Sequence, residues 1–168
     1  MIQKPFPVFG YVIVRNELTA GEVFTDQTIK ENKYIVDEKF KTVWLQTKGH
    51  IHDVEDNTGA TQDRYAGDST LIKPEPIGHW TMQIVEDAVV FCLSPVVNEN
   101  KYPQAPDVIH VAIAAGQTRE FAKDSKLFLA SGTLTVEGKT FDGPKQIRFA
   151  SSAKTVTAVT NCYGLLFP

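Results

Sequence analysis

Along the chain, short runs of Val, Ile, Leu, Thr and aromatic residues are broken by clusters of Gly, Pro, Asn and Asp. The runs before residue 94 are Tyr11–Asn16, Thr42–Thr47, His50–Val54, Ser69–Ile72, Trp80–Val85 and Ala88–Leu93. Those after it are Val108–Ala114, Lys126–Ala130, Thr133–Val136, Gln146–Phe149, Thr155–Val159 and Tyr163–Phe167. Strands this short at near-regular spacing predict an all-β sandwich or barrel. No apolar run sustains a 3.6-residue period long enough for a crossover helix, so the sheets are expected to be antiparallel. Only Thr25–Glu38 offers a helical turn.

One seam divides the pattern. Ser94–Asp107 carries three prolines and two asparagines in fourteen residues, a composition suited to an extended surface connector. The same order of landmarks stands on either side of it. Ala20-Gly21-Glu22, Val43-Trp44-Leu45, Gly49-His50-Ile51-His52 and Ala66-Gly67-Asp68 match Ala115-Gly116-Gln117, Leu127-Phe128-Leu129, Gly132-Thr133-Leu134-Thr135 and Asp142-Gly143-Pro144. From turn glycine to hairpin glycine the first half spans 28 residues (21 to 49) and the second 16 (116 to 132), the surplus falling most simply in Thr25–Lys41. These spacings predict two tandem repeats, residues 1–94 and 108–168, joined by a 95–107 connector.

Gly49, Tyr65-Ala66-Gly67-Asp68, Ile72-Lys73-Pro74, Gly78-His79 and Ala88–Leu93 follow the order of turn glycine, Gly-Asp turn, proline turn, histidine and apolar strand found in cupins. In these motifs the chain resembles the cupin superfamily, over most of Tyr11–Leu93 and more loosely over Val108–Phe167. The resemblance implies a double-stranded β-helix, a jelly roll of antiparallel sheets. It implies less about chemistry. Metal-binding cupins place a His-x-His pair and a glutamate before the turn glycine and a third histidine after the proline turn. Here Gly21–Lys48 holds no histidine, and His79 alone matches a ligand position. The chain therefore reads as a degenerate bicupin without the usual metal motif, and no cofactor is expected.

His50 and His52 still form a pair on one strand face, about 7 Å apart, spaced to suit two ligands of one metal. With His79 they make an alternative site for a divalent transition metal, and Trp44, Tyr65 and Trp80 are the residues expected to line a pocket beside it. Against this, aligning Gly49 with Gly132 puts His50 and His52 opposite Thr133 and Thr135, on the polar side of the strand. His110 reads as a core or interface histidine, and Asp53–Gly59 as a solvated turn without the alternation of a calcium loop. No phosphate loop, nucleophile elbow or Cys-x-x-Cys occurs, so no catalytic residue is assigned.

Composition narrows the partners. Hydrophobic residues make up 42% and charged residues 22%, the balance of a folded globular chain. A net charge of −3 argues against a grip on nucleic-acid phosphates. No apolar stretch has the length of a membrane span, and the N-terminal residues lack a signal-peptide pattern, so a soluble protein made in the cytoplasm is expected. Cys92 and Cys162 sit in apolar runs and read as packed small hydrophobes. Two functions stay open. One is a non-catalytic structural or interaction protein, a homo-oligomer or part of a larger assembly such as a phage virion, with the Lys4–Phe9 and Leu165–Pro168 ends suited to strand exchange. The other is a metal-dependent cupin enzyme or small-molecule binder using the first barrel.

Overall fold

The computed structural model describes residues 2–25, 28, 42–72, 79–93, 96–97, 100–101 and 105–168. The chain divides into two compact units, Met1–Ala105 and Pro106–Pro168. The first holds β1 (Ile2–Val8), β2 (Tyr11–Leu18), β3 (Val23–Phe24), β4 (Thr42–Lys48), β5 (His50–Glu55) and β6 (Thr61–Tyr65). It continues with β7 (Ser69–Ile72), β8 (Trp80–Ile84), β9 (Ala88–Leu93) and the short pair β10 (Val96–Val97) and β11 (Asn100–Lys101). The second holds β12 (Ile109–Ile113), β13 (Thr118–Phe121), β14 (Lys126–Ser131) and β15 (Thr133–Val136). Its last strands are β16 (Lys139–Asp142), β17 (Lys145–Arg148), β18 (Lys154–Ala158) and β19 (Cys162–Phe167). The fold is all-β, as the pattern predicts. No helix among the described residues is long and apolar enough to cross a membrane.

In the first unit the strand orders are β1-β2-β9-β4-β7 and β3-β8-β5-β6; in the second they are β12-β19-β14-β17 and β13-β18-β15-β16. With β1 set aside, β2 to β9 and β12 to β19 are arranged strand for strand alike. Even the irregularities coincide. Pairing with the last strand slips between Gln46 and Lys48 in one unit and between Leu129 and Ser131 in the other. The next residue in each is a positive-φ glycine, Gly49 or Gly132, where a Cβ would stand 2.3 Å from the carbonyl oxygen of Asp87 or Asn161. Only glycine fits both the backbone angle and the space. The Gly21 and Gly116 amides likewise donate to Ile84 and Ala158 at 2.8 Å.

Side-chain alternation explains the cores. Over His50–Asp53 of β5 and along β15 every second residue is buried, and Ile51 and Leu134 are inaccessible. They join Leu18, Trp44, Met82, Ile84 and Val90 in one core, and Val111, Leu127, Phe149 and Val156 in the other. Cys92 and Cys162 are free and buried within these cores.

Besides β10 and β11, which lie in the 95–107 connector, five strands fall outside the runs that the sequence singles out: β1, β3, β6, β13 and β16. Most of their described residues are exposed, so no apolar alternation marks them. The Lys4–Phe9 end, expected to suit strand exchange, falls largely in the first strand of this unit. Lys4–Val8 lies in β1, paired from Ile2↔Glu17 to Val8↔Tyr11 along β2 of the same chain. Its prolines are tolerated because β1 is an edge strand. The Thr25–Glu38 turn and the Lys73–Gly78 part of the cupin pattern lie outside the described residues, apart from Thr25 and Thr28.

Candidate functional site

The same alternation sends two different sets of polar residues to the two faces of the β3-β8-β5-β6 sheet. His50 and His52 point outward, while Ile51 and Asp53 point into the first unit. On the outer face His50 Nε2 and His52 Nδ1 donate to the same Asp63 oxygen, at 2.7 and 2.9 Å. These two bonds hold the Asp63 carboxyl below its usual range. Tyr65 stacks on His50 at a centroid distance of 4.5 Å and is itself exposed.

His79 does not join this pair. It lies beside Trp80, which pairs with Glu55, whereas His52 pairs with Gln83. Four residues of extended strand separate positions 79 and 83, roughly 13 Å. Nor do the three aromatic residues line one pocket. Trp44 is buried in the core and Tyr65 lies on the outer face of the neighbouring sheet.

Inside the first unit stands a cluster that the sequence analysis does not single out. Asp53, 5% exposed, is ion-paired with Arg64 of β6. The Arg64 guanidinium carbon lies 4.7 Å from the centroid of the Trp44 ring, a cation–π contact. Burial pushes the Asp53 carboxyl above its usual value, and Arg64 pulls against it. Gln46, 3% exposed, donates through Nε2 to the carbonyls of Gly49 at 2.8 Å and Arg64 at 3.1 Å. Asn16 Nδ2 reaches Cys92 Sγ at 3.3 Å, and burial drives that thiol up to about 12, which leaves it protonated and unreactive at neutral pH.

Three polar atoms of this interior are buried without a hydrogen-bond partner: Arg64 Nε, Gln46 Oε1 and Thr42 Oγ1. Thr42, Trp44 and Gln46 are alternate residues of β4 and share its inner face. Such groups are rare in folded interiors because each unmade bond costs about 1–3 kcal/mol.

The cluster does not suit a metal ion. Its one carboxylate is already paired, it holds no imidazole, and the Arg64 charge would repel a divalent cation. Among the described residues no group of three His, Cys, Asp or Glu side chains is placed to hold one.

The second unit offers no counterpart. Strand register places Trp44, Gln46 and Asp53 on Leu127, Leu129 and Val136, and Arg64 on Phe141, which shifts the match of Val43-Trp44-Leu45 with Leu127-Phe128-Leu129 by one residue. Asn16 falls on Val111, Met82 on Val156 and Cys92 on Leu166. Every one of these counterparts belongs to or packs against an apolar core.

Of this cluster the sequence singles out Trp44 alone, as a pocket-lining residue; the Asp53–Arg64 pair becomes legible only once β5 and β6 are paired in register.

No protein-family model and no curated protein matches the sequence. Solved structures do match. HutD from Pseudomonas fluorescens SBW25 is 8% identical, with a TM-score of 0.57, over 93% of this chain and 77% of that one. The protein Ylba from Escherichia coli is 13% identical, with a TM-score of 0.55, over 98% and 81%. The bacterial pirin YhhW from Escherichia coli, solved in complex with nickel(II), is 11% identical, with a TM-score of 0.50, over 95% and 82%. These likenesses concern the fold, and with the strand orders above they give the chain an all-β jelly-roll architecture.

Proposed function

We propose that the protein is a metal-independent small-molecule binder, using the interior of its first β-unit while the second serves as a structural copy. The observation that carries this is the set of buried, unpartnered polar atoms on Arg64, Gln46 and Thr42. A buried polar cluster is costly to keep, and the apolar counterpart in the second unit supports the view that the fold does not require it. An internal duplication, after which one copy kept a polar interior, accounts for the shared strand order and turns. No bond-making step is assigned: among the described residues the interior thiol, Cys92, stays protonated.

The test replaces the cluster by its counterparts, as Gln46→Leu, Asp53→Val and Arg64→Phe together. Small compounds are screened by thermal unfolding against both proteins. Binding at about one hundred times Kd adds about 2.7 kcal/mol of stability. Compounds that raise the Tm of the wild type and not of the triple variant support the reading; equal shifts in both would overturn it.

A second reading rests on a different surface. Val23, Tyr65 and Val85 are exposed large hydrophobic residues on or beside the outer face of β3-β8-β5-β6, near the His50–Asp63–His52 cluster. Such a patch favours an interaction protein, either a homo-oligomer or a component of a larger assembly such as a virion. Sedimentation of the wild type and of Tyr65→Ser tests it. An assembly that dissociates in the variant supports this role, and a monomer in both removes it.

A further inference from the structure

The charge and donor pattern of the first unit's interior restricts what it can hold. Asp53 and Arg64 form a pair whose formal charges cancel. An entering anion would have to compete with Asp53 for Arg64, and an entering cation would meet the guanidinium, so either would leave a buried charge uncompensated. The groups still wanting a partner are of complementary kinds. Arg64 Nε–H can only donate and Gln46 Oε1 can only accept, while the Thr42 hydroxyl can do either.

The orientation of Gln46 is fixed by its surroundings. Its Nε2 faces the carbonyls of Gly49 and Arg64. Turning the amide over would set oxygen against oxygen, so the free atom is the acceptor. The two residues are also neighbours. Gln46 bonds the backbone of Arg64, and the Arg64 guanidinium lies over Trp44, two residues from Gln46 on the same strand face.

Building on the binding reading above, we infer that the ligand is an uncharged compound presenting a hydrogen-bond acceptor and a donor side by side. An amide group is the simplest example. Its carbonyl meets Arg64 Nε–H, its N–H meets Gln46 Oε1, and Thr42 takes a further hydroxyl or amide. A carboxylate offers no donor to Gln46, and an amidinium offers no acceptor to Arg64.

Three probes of equal size test this: acetamide, acetate and acetamidinium. Each is titrated into the full chain while the indole of Trp44 and the side-chain amide of Gln46 are followed by NMR. Acetamide is expected to bind about ten-fold or more tighter than either ion, since each ion leaves one buried group unmatched. Gln46→Leu, which copies the second unit, is expected to weaken acetamide by a similar factor. Tighter binding of acetate, lost in the triple variant, would overturn the neutral-ligand inference and leave the binding reading standing. If none of the three moves either resonance, the binding reading falls as well.

Discussion

Register equates β2–β9 of the first unit with β12–β19 of the second, and at most positions the two interiors are built alike. At Gln46/Leu129, Asp53/Val136 and Arg64/Phe141 they are not. One unit packs an ion pair and an amide where the other packs aliphatic and aromatic side chains. Because the second unit forms the same two sheets without these groups, they are dispensable for the architecture. A buried pair is also weak evidence of stability, since desolvation offsets most of its attraction. What distinguishes the units is therefore chemistry placed inside a common frame.

The comparison is broken most forcefully by moving a charge alone. Val136→Asp would bury a carboxylate with no guanidinium beside it, and Arg64→Ala would strand Asp53 in the same way. Each is expected to destabilise its unit by about 3–5 kcal/mol in urea unfolding. The opposite result is expected when the whole cluster is exchanged. The Gln46→Leu, Asp53→Val, Arg64→Phe variant should be as stable as wild type or up to about 4 kcal/mol more stable. A clear loss would show that the first unit needs its polar interior to fold.

Changes at shared features should cost the same in both units. Gly49→Ala and Gly132→Ala each force a Cβ to within 2.3 Å of a carbonyl oxygen at positive φ. Each is expected to cost about 2 kcal/mol, and unequal losses would show that the turns differ in strain.

The smallest effect belongs to the outer face. His50→Thr with His52→Thr copies Thr133 and Thr135 and removes both partners of Asp63. The Asp63 carboxyl is held below its ordinary 3.8, so its contribution is present above that value and lost as pH falls through the folded one. The Tm gap between wild type and variant should therefore be small at neutral pH and should narrow as the solution is acidified below about pH 4. A gap that widens there would contradict the assigned bonds.

Much of the fold was legible in the sequence. The glycines at 21, 49, 116 and 132 mark turns at positive φ, with a side chain also blocked by a carbonyl oxygen at 49 and 132, and the Ile51 and Leu134 alternation marks strands with one buried face. The polar strands were not legible. β6 and β16 carry charged and hydroxyl residues on mostly exposed positions, and their place in the sheet comes from pairing with β5 and β15. The site followed the same division. His50 and His52 drew attention by spacing, yet they share an acceptor on the outer face. Arg64, in the unmarked β6, turned out to be the residue at the centre of the interior cluster.

The sequence by itself determined the class of structure, the turn positions and which face of β5 and β15 is apolar. These depend on periodicity and on backbone freedom at glycine, both local properties. Only the tertiary structure decided that Asp53 meets Arg64 and that Arg64 covers Trp44, while Gln46 keeps an acceptor in reserve. Those contacts join residues on three strands from two sheets of the first unit. A carboxylate, a guanidinium and an amide carry no mark in the sequence of which face will bury them. Register assigns the face, and burial then gives each unpaired polar atom its cost.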